Sequence, residues 1–445
     1  MSDQQTRGVA LALLAPALLT VTARVPAQDK PPIRLTLRQA VAVALKENPE
    51  VQIAVLDLAE SKQDRNLARS GLLPQADLRV NESVMRENIE ALFGKPFPGI
   101  PEHIGPFQFF QAGPGFSFPL LDLTAFRRWQ AASHEARASE RDSESVREQT
   151  VLLVVSQYLG TLQASANVTA AESRVQLAQA LYDQASDVQK HGAGTGLDTL
   201  RAQVELQNQQ QRLIEARTQL KTSTYGLARL LNVDPGEEIA LADQLSFFET
   251  PEFAGDTTLQ QAYAERPEMQ ALGEREREAE LSRRQASDQR LPTVSVSGNW
   301  SYTGLSLQSS IPTYTYSANL DFPLITGGRI HAQMTKAELE LKKIDQQRQD
   351  LRNQIALQVK TALADLESAR HEVDVANQGV KLAQEEVNQA RDRFAAGVAN
   401  NIEVVTAQDA LERANNNQIS ALFSYNQSRA DLARATGHIQ DLYAK

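Results

Sequence analysis

All 18 prolines of the 445-residue chain lie at or before Pro323, and none falls between Pro119 and Pro235. Two segments of more than 100 residues each, 120–234 and 324–445, therefore contain no proline, the residue that most strongly breaks a helix from within. Both are rich in Ala, Gln, Glu, Leu and Arg, which lose little on entering a helix. The second carries a seam at Ile355, Val359, Ala362, Leu366, Ala369, Val373, Ala376, Val380, Ala383, Val387, Ala390 and Phe394. Its steps alternate between four and three, which is the coiled-coil repeat, and the alanines allow helices to approach closely. A helix over 325–396 would run on the order of 105 Å at 1.5 Å per residue, so the chain is elongated. Each long helical segment is broken once by turn residues. The first break is Gly192, Ala193, Gly194, Thr195 and Gly196; the second is Gly397, Val398, Ala399, Asn400 and Asn401. Gly and Asn supply the left-handed backbone that ends a helix and reverses it, giving two long antiparallel hairpins.

Between the helical segments the period drops to two. Val294, Val296, Gly298, Trp300 and Tyr302 alternate with serines and Asn299; beyond a turn at Ser309–Pro312, Tyr314, Tyr316, Ala318, Leu320 and Phe322 alternate with polar residues. Each run of about nine residues would cross a bilayer as a tilted strand, and Trp300, Tyr302, Tyr314 and Tyr316 gather at the turn end like an interfacial girdle. A half-buried hairpin in a soluble domain would show the same alternation. An earlier, less regular pair includes Ala76, Leu78, Val80, Phe116 and Phe118, with Met85 to Gln111 read as an extended surface loop. Four strands are too few to close a barrel, so spanning a membrane would need several chains; three would pool twelve.

Composition narrows the function classes. There is no cysteine, which removes disulfides, thiolate metal sites and cysteine nucleophiles. The net charge of −10, with scattered Lys and Arg, argues against nucleic acid as a partner. His103, His134, His191, His331, His371 and His438 are dispersed without metal-ligand spacing, and no phosphate-binding loop or nucleophile elbow is present. No enzyme activity, metal or cofactor is therefore expected. The run from Gly8 to Val21 behind Arg7 has the length of a signal-peptide core, and Val25-Pro26-Ala27 offers a cleavage site; residues 1–27 read as an export signal.

The halves align with each other. Leu37-Arg38-Gln39-Ala40 matches Leu259-Gln260-Gln261-Ala262, and Asn48-Pro49-Glu50 matches Arg266-Pro267-Glu268. Pro49 to Pro74 and Pro267 to Pro292 are both 25 residues, and Gly192 to Ala228 and Gly397 to Ala433 are both 36. Phe118-Pro119-Leu120 corresponds to Phe322-Pro323-Leu324. The chain divides into a first repeat (28–234, strand pair 75–119, tip 192–197), a linker (235–256), a second repeat (257–437, strand pair 292–323, tip 397–402) and a tail (438–445).

These features resemble the outer membrane efflux protein family, the TolC-like channels. The residues that carry the resemblance are Leu35-Thr36-Leu37 through Ala40, Ala44-Leu45 and Asn48-Pro49, with their repeat from Leu259. Leu73-Pro74, Leu291-Pro292 and Phe322-Pro323-Leu324-Ile325-Thr326-Gly327-Gly328-Arg329 extend it, and the two tips complete it through Leu200 and Val405. The first copy departs at Asp122-Leu123-Thr124-Ala125, where a Gly-Gly is usual, and Asn400 and Asn401 replace the more usual Ser or Thr.

The resemblance implies a mainly helical chain whose long coiled coils form an α-helical barrel, with four strands per protomer in a β-barrel shared by a homotrimer. It implies a passive exit duct in outer-membrane lipid, with its helical part in the periplasm. Docking of a periplasmic adaptor protein and an inner-membrane efflux transporter would open it. On that analogy Gly192, Ala193, Gly194, Thr195, Gly196, Leu197, Gly397, Val398, Ala399, Asn400, Asn401 and Ile402 are adaptor-docking tips. Asp183, Asp187, Glu385 and Glu386 are lumen gate candidates, and Trp300, Tyr302, Tyr314 and Tyr316 a membrane girdle. The competing reading is a soluble periplasmic coiled-coil scaffold, or an adaptor, without a pore.

Overall fold

The computed structural model describes residues 33–89, 91, 94, 99, 101–192, 195–247, 255–396, 398–399 and 401–444. The signal-peptide segment lies outside these residues, as do Ala193, Gly194, Gly397 and Asn400. In chain order the elements are β1 (Ile33–Leu35), α1 (Leu37–Glu47), α2 (Pro49–Ser70), β2 (Gln75–Asn88), β3 (His103–Leu121), α3 (Leu123–Lys190) and α4 (Gly196–Leu230). They continue with β4 (Ile239–Leu241), α5 (Gly255–Glu265), α6 (Pro267–Asp288), β5 (Thr293–Gly304), β6 (Ile311–Asp321), α7 (Arg329–Ala395), α8 (Asn401–Thr436) and α9 (Ile439–Tyr443).

The proline-free segments are the long hairpins. α3 has 68 residues and α7 has 67, about 100 Å each at the standard rise. α3 pairs with α4, α7 with α8, and α3 also packs on α8, so the hairpins stand side by side with α4 and α7 at the two ends of the row. Nearer the sheet the row is α2, α3, α6, α7. The heptad seam is the buried one: Ile355, Val359, Ala362, Leu366, Ala369, Val373, Ala383, Val387 and Ala390 are in the core, Ala376 and Val380 are half-buried, and the Phe394 side chain lies outside those described. α2 and α6 both start with proline at the first helical turn, where the missing N–H costs nothing.

A belt of shorter elements wraps one face of this row. β1 and β4 pair in parallel, bringing residues 33–35 onto a strand inside the 235–256 linker. α1 lays Ala40, Val41 and Ala44 against Val151, Val154, Val155 and Tyr158 of α3, and Ile439 and Tyr443 from the C-terminal segment join the same core. α5 repeats this on the second hairpin, where Ala262 meets Ile355, Val359 and Tyr425. Each fully buried Val or Leu here contributes about 1.5–3 kcal/mol by leaving water.

The four long strands form one antiparallel sheet in the order β2-β3-β5-β6. They exceed the nine residues expected, at 14, 19, 12 and 11. The loop expected over Met85–Gln111 is largely strand: Val84 pairs with Gln108 and Asn88 with His103. Its prolines and glycines disguise a strand whose ladder is completed across the sheet. Pro312, assigned to the turn, is the second residue of β6 instead, and an edge strand tolerates a residue without an N–H.

Candidate functional site

The sheet has two chemically distinct faces. Cross-strand partners share a face, and the register places Trp300 opposite Tyr314, Tyr302 opposite Pro312 and Gly298 opposite Tyr316. The same face continues through Phe116 and Ala112 on β3 to Ala76, Leu78 and Val80 on β2, with Glu82 as a charged interruption. It is apolar and open: Leu78 is 74% exposed, Tyr314 71% and Leu320 68%. Gly298 is small for a reason, since a Cβ there would strike the rings of Tyr316 and Phe116 within 2.6 Å. The opposite face is polar, with Ser297 and Ser317 hydroxyls 3.0 Å apart, Thr303 and Thr313 3.0 Å apart, and Gln111 donating to Ser301 Oγ at 3.1 Å. The four aromatic side chains singled out from the alternation thus lie together on one exposed apolar face. Among the described residues no helix is long and apolar enough to cross a membrane.

At the other end, the hairpin tips are built for sharp reversal. Gly192 adopts φ +77°, the left-handed region, and Thr195 caps α4 by accepting from the Asp198 N–H at 3.2 Å and donating to its carboxylate at 2.6 Å. At the second tip the Val398 N–H closes onto Arg393 O, and Arg393 pairs with Glu403 at 3.1 Å. Leu197, Val398 and Ile402 are exposed at the tips, and Ala399 is half-buried. Asp183, Asp187, Glu385 and Glu386 are all exposed. Asp183 accepts from Gln179 and Asp187 from Lys190. The first pair is on α3 and the second on α7.

Two features were not legible beforehand. The first is a second apolar stripe on each end helix. Leu200 and Val204 on α4 sit two positions before buried Ala202 and Leu206; Leu357 and Val375 on α7 sit two positions after buried Ile355 and Val373. Two residues turn a helix by about 200°, so these stripes face away from the chain's own core. Leu200 is 60% and Val375 71% exposed. In the sequence the signal was sparse: Leu197, Leu200 and Val204 on α4, and Leu357, Val375 and Leu382 set among polar residues on α7.

The second feature is a buried ion cluster where the two repeats meet. Arg434 of α8 is 8% exposed and bonds Glu148 of α3 at 3.2 Å and Glu268 of α6. Arg266, 5% exposed, reaches Glu268 at 3.3 Å and Gln358 at 2.5 Å. Burial opposes charge on Glu268, but Arg434 and Arg266 overcome it and bring its carboxyl to about 2. Burial raises Glu148 to about 7, and the one arginine it shares with Glu268 offsets this only in part. Close by, the Tyr158 hydroxyl donates to Leu35 O and Asp243 at 2.9 Å, and burial pushes that phenol well up. The Tyr158 bonds pin the belt to the row, and the ion cluster ties α3, α6 and α8 to one another. Among the described residues no cluster of His, Asp and Glu is arranged to hold a metal.

An open row of very long helices, duplicated within one chain and topped by a half-apolar sheet whose edge strands are β2 and β6, is the architecture of the channels with a helical barrel and a β domain. The chain belongs to the outer membrane efflux protein family, whose model matches residues 40–233 and 258–438. It is 24% identical over 401 residues to the alkaline protease secretion protein AprF of Pseudomonas aeruginosa, covering 88% of this chain and 82% of that one. Its fold is similar to the CmeC outer membrane channel of Campylobacter jejuni, with a TM-score of 0.77 at 19% identity over 91% of this chain and 86% of that one. It is also similar to the open state of the Neisseria gonorrhoeae MtrE outer membrane channel, with a TM-score of 0.76 at 17% identity over 92% and 90%.

Proposed function

We propose that the protein is the outer-membrane exit duct of a tripartite efflux or secretion system, a passive homotrimer without enzymatic activity. The observation that carries this reading is the pair of unsatisfied ends. The helical row stops at exposed seams on α4 and α7, and the sheet stops at unpaired β2 and β6. A ring of copies satisfies both at once, seating one chain's α7 stripe against the next chain's α4 stripe and adding β6 to β2. Three copies give twelve strands, enough to close a barrel, whereas four strands in lipid would leave edge groups without partners.

In that ring the apolar sheet face meets lipid, the aromatic group sits at one interface, and the serine- and threonine-rich face lines the pore. The belt covers the outside of the helical row, and the row's bare face lines the duct. The tips, with Leu197, Val398 and Ile402 exposed, receive a periplasmic adaptor and an inner-membrane transporter, and repacking there opens the passage. Asp183, Asp187, Glu385 and Glu386 form an acidic ring only between chains, where it would favour cations.

The test is native mass and membrane fractionation of the full chain, with Leu200→Arg and Val375→Arg on the free seams. A trimer in the outer-membrane fraction that falls to monomer in both variants is expected. A water-soluble monomer, or a trimer indifferent to both substitutions, overturns the ring and favours the scaffold reading. For the acidic ring, replacing the four carboxylates by Asn or Gln should reduce cation selectivity in bilayer recordings; unchanged selectivity refutes it.

A further inference from the structure

We propose that the cavity between α2 and α3 just below the sheet binds the phosphate-bearing headgroup of an anionic phospholipid. The inference rests on the membrane reading above. The cavity measures about 590 Å³ and is lined by Lys62, Arg65 and Arg69 of α2 and by Trp129, His134 and Arg137 of α3. Volumes of this size are typical of small-ligand sites.

Its charge is one-sided. Lys62, Arg65, Arg69 and Arg137 face a single lining carboxylate, Glu140; Asp57, Glu60 and Asp64 of α2 do not line it. The steps from Lys62 to Arg65 and from Arg65 to Arg69 are three and four residues, which stacks the like charges on one helix face at a cost to the empty protein. Among the described residues none of these three forms an ion pair. Arg137 reaches Glu274 only at 4.0 Å, and that carboxylate is engaged by His134 at 2.7 Å and by Arg277. An anion entering the cavity removes the repulsion.

Position selects the kind of anion. α3 begins two residues after β3 ends, and Trp129 lies about 9 Å further down at the helical rise, the depth of a headgroup layer. Trp129 also contacts half-exposed Phe126, with ring centroids 5.7 Å apart, and indole rings favour that layer. Arg65 and Arg69 fall in the last two turns of α2, at the same rim. The cavity opens on the outer side of the row. Ser133, Ala136, Arg137 and Glu140 line it, and each precedes by 18 residues a residue (Val151, Val154, Val155, Tyr158) that faces the belt. Eighteen residues are five whole turns, so the lining shares the belt's face of α3. A basic, Trp-flanked cavity at that depth fits a phosphate diester whose acyl chains continue up the apolar sheet face.

The experiment uses the full chain extracted from outer membranes, measured by native mass spectrometry with equal amounts of dioleoylphosphatidylglycerol or dioleoylphosphatidylcholine. The expected result is preferential retention of phosphatidylglycerol. That preference should fall roughly fivefold for each cation removed in Lys62→Gln, Arg65→Gln and Arg69→Gln combinations, and persist in Arg65→Lys plus Arg69→Lys, which keeps charge and fold. Equal retention of the two lipids, or a preference unchanged in the triple variant, overturns the proposal. An arm with inorganic phosphate alone separates the sources: phosphate that binds without lipid and displaces phosphatidylglycerol completely makes the site one for the free anion and overturns the lipid assignment. Wild-type protein absent from the outer-membrane fraction refutes the membrane reading; wild-type trimer present there without lipid preference refutes only this site.

Discussion

The first repeat turns from strand to long helix through Asp122, whose carboxylate accepts from the Ala125 N–H at 2.8 Å. The second makes the same turn through Gly327 and Gly328, at φ +57° and +81°. Where the first repeat enters its second helix, buried Asn48 donates to Leu230 O at 2.8 Å and caps the Glu50 N–H at 2.9 Å. The equivalent Arg266 makes no side-chain cap and joins Glu268 and Gln358 instead. Glu50 is exposed, whereas its equivalent Glu268 sits in the ion cluster. The duplication thus retains geometry while the chemistry at matching positions has diverged. A backbone turn needs satisfied N–H groups or a permissive φ, and either meets the requirement. Glu50 and Arg229, the counterparts of Glu268 and Arg434, are both exposed, so the burial of the ion cluster is what the second junction adds.

That asymmetry can be broken position by position. Arg434→Ala should have the largest effect, about 3–5 kcal/mol, because it leaves Glu148 and Glu268 buried without their shared cation; thermal unfolding in detergent would register it. Asn48→Ala, in the other repeat, should cost about 2 kcal/mol through a lost cap and an unpaired carbonyl. A larger loss at Asn48 than at Arg434 would show that the hydrogen-bonded junction contributes more to stability than the ionic one.

The cluster also sets a pH response of two signs. Glu268 is depressed from 4.5 to about 2, so its contribution is complete above its ordinary range and is lost as pH falls from about 4.5 towards 2. Glu148 is raised from 4.5 to about 7, so the folded state holds a proton there and loses stability as pH rises across that interval. Glu148→Gln should remove the decline between pH 5 and 7 and leave the acid limb intact. A slope that survives the substitution assigns it to another group. The smallest effects belong to the two turns. Asp122→Ala should cost about 1 kcal/mol as a lost cap, and Gly328→Ala about 1–2 kcal/mol from its left-handed backbone alone, since nothing lies within 4 Å of an added Cβ. Equal insensitivity at both would mean that packing above the turn dictates its path.

Much of this architecture was legible residue by residue. The seam from Ile355 to Ala390 is buried as its spacing required except at half-buried Ala376 and Val380, and the apolar residues from Val294 to Leu320 share one sheet face. Both are local periodicities, and a helix or strand imposes them on any side chains that must share a surface. The stretch over 85–111 differs from the loop its composition suggests because its two arms pair with each other, Met85 with Phe107, and with a distant strand, Phe110 with Gly304. The two helix reversals fall where the Gly- and Asn-bearing turns stood in the sequence, between α3 and α4 and between α7 and α8.

By itself the sequence determined the duplication, the two long hairpins, the two-faced strands and the absence of thiol chemistry, because each follows from neighbours within a few turns or from counting. Only the tertiary structure decided which heptad stripe is covered and which stays free on α4 and α7. It alone brought Glu148 to Arg434 across 286 positions, and it alone set Lys62, Arg65 and Arg69 opposite Trp129 and Arg137 around one cavity. The physical reason is the same in each case: charge, burial and exposure are properties of what packs opposite a residue, and in a chain folded from two repeats the opposing residue is rarely near in sequence.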